Sequence, residues 1–160
     1  MLNQSIDEYT KQLSQGKIQR AYRGIMTFMS GLKKHMEEMH PEYCSGALYS
    51  GYMDMTYFAF TPVDLKTRNL KIAVVYLHEQ NRFEAWLSGS NRKIQAELIG
   101  LLQHKDIGAY RLSQVSLDVD SIIESEIIDS PDFDKSEILM KTIESRTIAF
   151  AEKMISILDE

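Results

Sequence analysis

The sequence predicts an α+β fold, one antiparallel sheet of about four to five strands with N-terminal, middle and C-terminal helices packed on it. Three observations carry this expectation. Apolar residues recur at steps of three and four in both terminal regions, from Ile6 to Met36 and from Leu139 to Leu158. Between Tyr52 and Ser88 the chain instead reads as short apolar and aromatic runs parted by polar breaks, the pattern of paired strands. The chain has 160 residues, 44% of them hydrophobic, which suits a single core, so residues 1–160 are read as one globular domain.

The first helix is expected from Ser5-Ile6-Asp7-Glu8, where Ser5 caps the Glu8 N–H and Glu8 reaches back. Ile6, Tyr9 and Leu13 then share one face, and Gly16 ends or bends the segment. A longer helix follows, with Ile18, Tyr22, Ile25, Met29, Leu32 and Met36 as its buried seam. Gly24 and Gly31 interrupt it on one side, which suggests close packing against another backbone. Its methionines read as core filling, and Pro41 marks its end.

The middle is expected to be β-structure. Ala47–Tyr49 is a candidate short strand, Tyr52–Thr61 a longer one closed by Pro62, and Val63–Asn69 a polar connection. Leu70–His78 is a nearly continuous apolar run, as in an interior strand, and Arg82–Ser88 is its partner. The period then changes. Ile94, Leu98, Leu101 and Leu102 form a helical stripe capped by Ser90 or Asn91, and Gly108 closes that section. Tyr110–Val119 leans to strand, while Ser121–Asp129 fits a strand or a helical turn. Asp134 with Glu137 opens the last helix, whose buried face is Leu139, Ile143, Phe150, Met154 and Leu158.

Composition excludes several classes. The net charge is −5 and no basic run exceeds two residues, so a nucleic-acid-binding role is not expected. One cysteine, Cys44, rules out an intrachain disulfide framework and favours a cytoplasmic setting. The first residues lack the apolar core of a signal peptide, and no run approaches the roughly 18 apolar residues of a membrane span. His35, His40, His78 and His104 show no metal-ligand spacing, and neither a nucleophile elbow nor a phosphate-binding loop is present. No motif names a cofactor. Ser88–Lys93 at a helix start could hold an anion, and capping is the better explanation of it. Asp118 and Asp120 with Glu124 and Glu126 lack the glycine and distal glutamate of a calcium loop and read as a solvated face.

The hairpin between the two longest runs locates the candidate site. With Glu79-Gln80-Asn81 as the loop and Asn81 left-handed, His78 faces Arg82, Tyr76 faces Glu84, Val74 faces Trp86 and Ile72 faces Ser88. One side then carries Leu77, Phe83, Val75, Ala85, Ala73 and Leu87, and belongs against helices. The other mixes aromatic and ionisable groups. Placing Met55, Tyr57 and Ala59 with the apolar side brings Asp54 and Thr56 to the mixed one. The candidate binding residues are therefore Tyr52, Asp54, Tyr76, His78, Arg82, Glu84 and Trp86, a composition suited to a concave surface with apolar walls.

Four readings of that face stand. It holds a small molecule or peptide, with Tyr52, Tyr76 and Trp86 as anchors and Asp54, Arg82 and Glu84 orienting the ligand. It is a metal-assisted hydrolase centre using Asp54 and Glu84. It is a homodimer surface. Or it is purely structural, with Glu84 ion-paired and the aromatics packed.

The strings IQRAYRGIMTFMSGLK, GALYSGYMDMTYFAFTP and LKIAVVYLHEQNRFEAWLSGSNRKIQ resemble a family of small bacterial proteins classed as a domain of unknown function. The resemblance implies a bacterial, cytoplasmic, single-domain protein and carries no site residue with it.

Overall fold

The computed structural model describes residues 1–115 and 121–160. In chain order the elements are α1 (Leu2–Ser14), α2 (Lys17–Met39), β1 (Cys44–Ser45), β2 (Met55–Thr61), α3 (Val63–Thr67), β3 (Leu70–Leu77), β4 (Arg82–Gly89), α4 (Arg92–Leu102), β5 (Arg111–Leu112), β6 (Ile123–Asp129) and α5 (Ser136–Asp159). The strands form one six-stranded sheet in the order β1-β2-β3-β4-β6-β5, and every pairing is antiparallel. The α+β class therefore holds, with two more strands at the edges than the longest runs indicate. Both added strands, β1 and β5, are only two residues long. Such short edges leave little unpaired backbone for another chain to pair with.

The helices cover one face of the sheet. Phe58 and Phe60 of β2, Ile72, Val74 and Tyr76 of β3, and Phe83, Ala85 and Leu87 of β4 join one buried cluster with Phe28, Met29, Leu32 and Met36 of α2 and Leu139, Ile143, Phe150 and Met154 of α5. Phe28 packs on Phe83 with ring centres 5.8 Å apart and meets Phe133 edge-on at 5.3 Å. Full burial of side chains this size contributes about 1.5–3 kcal/mol each, so this face dominates the folding energy. The C-terminal half of α2 is tied to α5 by Glu144. One of its oxygens faces His35 Nε2 at 2.5 Å and the other faces His40 Nε2 at 2.8 Å.

Several expectations shift. Ser5 lies inside α1, which starts at Leu2 with no side-chain cap, and Glu8 accepts from Gln12 instead. Gly16 does bend the chain, with φ +78° between α1 and α2. Gly31 packs closely, although against the Met140 side chain, whereas a Cβ on Gly24 would meet nothing within 4 Å. The short strand lies at Cys44–Ser45, and Tyr49 contributes only an isolated bridge to Tyr57. The expected connection at Val63–Asn69 contains α3. Of the lean to strand over Tyr110–Val119, Arg111 and Leu112 are strand, and residues 116–120 lie outside those described. Ser121–Asp129 resolves as strand from Ile123. Asn91 caps α4, its Oδ1 accepting the Ile94 N–H at 2.9 Å. Among the described residues no helix is long and apolar enough to cross a membrane.

The hairpin register differs from expectation by one residue. Leu77 pairs with Arg82, Tyr76 with Phe83, Val75 with Glu84, Val74 with Ala85 and Ala73 with Trp86, so the turn runs from His78 to Asn81. Asn81 is left-handed as expected, at φ +51°. Its side-chain oxygen accepts the Tyr76 hydroxyl at 2.6 Å, which fixes the longer turn. A slip of one residue turns a whole strand over. The β4 assignment survives, with Phe83, Ala85 and Leu87 against the helices. In β2 and β3 the two faces are exchanged: Thr56, Phe58, Phe60, Val74 and Tyr76 face the helices, and Tyr57, Ala59, Ala73 and Val75 face outward.

Candidate functional site

The face turned away from the helices carries the site, and its shape follows from side-chain size. Three strands supply it in rows set by the register. Ala59 pairs with Ala73 and Ala73 with Trp86, giving one row; Tyr57, Val75 and Glu84 form the next. Two adjacent alanines leave a floor lower than the aromatic side chains around it. The result is a recess of about 420 Å³, lined by Tyr49, Asp54, Met55, Tyr57, Ala59, Lys71, Ala73, Val75, Trp86, Ser88 and Gly89. That volume lies in the range of small-molecule sites, roughly 300–1,000 Å³. Tyr49 packs on Tyr57 with ring centres 4.9 Å apart and planes tilted by 38°, raising one wall, and Trp86 forms the other. Gly46 lies where an added Cβ would sit 3.2 Å from the Ala59 Cβ, so the β1 side closes down on the floor.

Trp86 is held by a buried carboxylate. Arg82, Glu84 and Trp86 stand two residues apart on β4 and share a face. The Arg82 Nε and Nη2 both reach Glu84 Oε2 at 2.8 Å, and the Trp86 indole N–H donates to Glu84 Oε1 at 2.8 Å. The Glu84 side chain is 4% exposed and Arg82 30%. A buried carboxylate is tolerable only with such partners. Because its N–H is used here, Trp86 lines the recess without offering a free donor. Lys71 stands at one end of the floor, exposed and without an ion pair among the described residues. Asp54 stands at the other end. Its Oδ1 accepts the Tyr52 N–H at 2.9 Å, and backbone N–H groups of Tyr52 and Met55 hold its carboxyl below the usual carboxylate range.

The seven sequence-derived candidates thus separate. Asp54 and Trp86 line the recess, and Glu84 and Arg82 support it from β4. Tyr76 does not face Glu84, because the strand is turned over; it is 3% exposed among the core aromatics, where burial raises its hydroxyl pKa. His78 follows it to the helix side, stacking on Tyr22 at 6.0 Å. The Thr56 hydroxyl lies 2.6 Å from the Ser50 carbonyl, which can only accept, so His78 Nε2, 2.8 Å away, carries the proton of the second hydrogen bond. Burial lowers the His78 pKa, with the Asp54 charge pulling the other way. Tyr52 is 91% exposed at the tip of its loop.

Residues that the sequence did not single out complete the recess: Tyr57, Ala59, Lys71 and Ala73. A signal for them exists. Lys71 is the one charged residue in an otherwise apolar strand, and its position in the alternation marks the outward side. The Asp54 and Glu84 carboxylates line different depressions. Glu84 borders a charged one of about 410 Å³ with Arg82, Arg111, Glu124 and Glu126. Both Glu84 oxygens are already engaged, so the pair does not converge on one reacting atom. Among the described residues, no group of three or more His, Cys, Asp or Glu is placed to hold a metal ion. Asp118 and Asp120 lie outside the described residues.

A family model described as a domain of unknown function, DUF7000, matches residues 2–158, and the chain belongs to that family. No curated protein and no solved structure matches it.

Proposed function

We propose that this DUF7000 chain is a non-catalytic binding domain that takes a flat, mainly apolar molecule carrying an acidic group on the outward face of its sheet. The observation that supports this most directly is the alanine floor between two aromatic walls, with a lysine at one end that has no ion pair among the described residues. An aromatic ring laid on Ala59 and Ala73 meets Trp86 on one side and Tyr57 on the other. Offset or edge-to-face ring pairs contribute roughly 0.5–1.5 kcal/mol each beyond area burial. Lys71 stands two residues along β3 from Ala73, about 7 Å away at the strand rise, within reach of an anionic substituent.

Naphthoate and its uncharged amide are suitable probes. A ligand that binds only the folded state adds about 2.7 kcal/mol to its stability at a hundredfold excess over Kd. The wild-type melting temperature should rise with naphthoate and rise less with naphthamide. Lys71→Ala should erase the difference between the two. Ala73→Leu, which fills the floor, should abolish both responses. A response that survives Ala73→Leu places binding elsewhere and contradicts the proposal.

A further inference from the structure

α1 has an apolar stripe that the described residues leave largely exposed, with only Leu13 at its α2 end half-buried. Leu2, Ile6, Tyr9 and Leu13 share one side, yet no residue of α1 is buried, and Leu2, Ile6 and Tyr9 are 73%, 46% and 60% exposed. An isolated helix of this length is marginal in water, so the stripe calls for a partner surface. The N-terminal half of α2 has the complementary lack. Ile18 is 38% exposed, and Ala21 and Gly24 are exposed as well. Between this half-helix and Phe133 and Met140 runs a groove of about 940 Å³ with Phe28 in its lining, and no α1 residue lines it. Gly24 weakens α2 as a helix without making room for any group of its own chain.

We infer that the groove is filled by α1 of a second copy of this chain, and that the exchange is reciprocal, so that two copies form a closed two-fold dimer. Length supports the match. The 13 residues of α1 span about 20 Å, and the groove side of α2 from Lys17 to Gly31 spans about 21 Å at the helical rise. Charge supports it too. The groove carries Lys17 and Arg20, neither ion-paired among the described residues, against one acid, Asp134, and α1 has the opposite balance, Asp7 and Glu8 beside Ile6 against Lys11. Gly24 then has a role, since a residue without a Cβ lets an incoming helix approach the α2 backbone. Gly16, left-handed at φ +78°, sets the angle at which each arm leaves its own α2. A mutual exchange uses the same two surfaces on both copies and leaves none open for further growth.

Sedimentation velocity on the full chain tests this. The wild type should sediment as a dimer, at twice the 18.4 kDa chain mass, across the micromolar range. Two variants should each be monomeric and still unfold cooperatively, at a lower temperature than the wild type because the partner's stabilisation is lost: Ile6→Glu combined with Tyr9→Glu, which removes the stripe, and Gly24→Leu, which fills the groove from open space. An equimolar mixture of the two monomeric variants has one intact arm and one intact groove, and should regain a weaker heterodimer. A monomeric wild type overturns the inference. So does a dimer that survives Gly24→Leu, because the arm would then be docking elsewhere.

Discussion

Glu84 is the side chain on which the recess wall depends. It is nearly fully buried, and its two oxygens are shared between a guanidinium and an indole N–H. Removing one member of a buried pair leaves an uncompensated charge, which costs more than the pair itself contributes. Arg82 is partly exposed, so water takes over some of its role. Arg82→Ala should therefore destabilise the fold by about 2–4 kcal/mol, somewhat below the range for a fully buried pair. Adding Glu84→Gln to Arg82→Ala should recover part of that loss, because no charge is then left buried. Urea unfolding of the two variants measures this, and a double variant less stable than Arg82→Ala alone would contradict it. The pattern Arg82-x-Glu84-x-Trp86 was legible in the sequence as three residues on one face of a strand. An ion pair of Glu84 with Arg82 or Lys71 was among the readings and the pair with Arg82 is the one formed, whereas the Trp86 indole bond to the same carboxylate was not legible, since it depends on rotamers rather than on spacing.

At the scale of the element, the hairpin decides which way two strands face. The alternation in β4 gave its inward set correctly, because Phe83, Ala85 and Leu87 contrast sharply with Arg82, Glu84 and Trp86. In β3 both sets are apolar apart from Lys71 at one end, and the choice passed to the turn length, which differed by one residue. Bulk offers a better guide there: Phe58 and Phe60 pack inward while Ala59 and Ala73 lie outward, where a small side chain opens a recess instead of a void. The turn itself rests on Asn81. At φ +51° an alanine would cost roughly 1–2 kcal/mol in the left-handed region, and about 1 kcal/mol more follows from the lost hydrogen bond of Tyr76. Asn81→Ala should thus destabilise by about 2–3 kcal/mol, Tyr76→Phe and Asn81→Gly by less. Equal losses in Asn81→Ala and Asn81→Gly, read from denaturant midpoints, would show that backbone conformation is not what Asn81 supplies.

For the whole molecule, the helix layer covers one face of the sheet and the other carries the recess. The helical layer is held together partly by charge. Burial pushes the Glu144 carboxyl up, but hydrogen bonds from His35 and His40 and their charge more than offset it, and its pKa is lowered. A folded-state value below the unfolded one means stabilisation that is present above the ordinary glutamate value of 4.5 and is lost as pH falls through the lowered value. Glu144→Gln should flatten the stability curve in that acid window, as read from urea unfolding at a series of pH values. The His35–Glu144–His40 link was not legible in the sequence, since Glu144 lies more than a hundred residues from either histidine. The α+β class was, because period and composition are local.

The open face is tested most directly through the indole N–H of Trp86, the one tryptophan in the chain and so a single resolved resonance. Titration with naphthoate should move this resonance to a saturating end point in the wild type and leave it fixed in Ala73→Leu. A resonance that stays in place while naphthoate binds, or one that moves equally in both proteins, would contradict the assignment of the ligand site to this face.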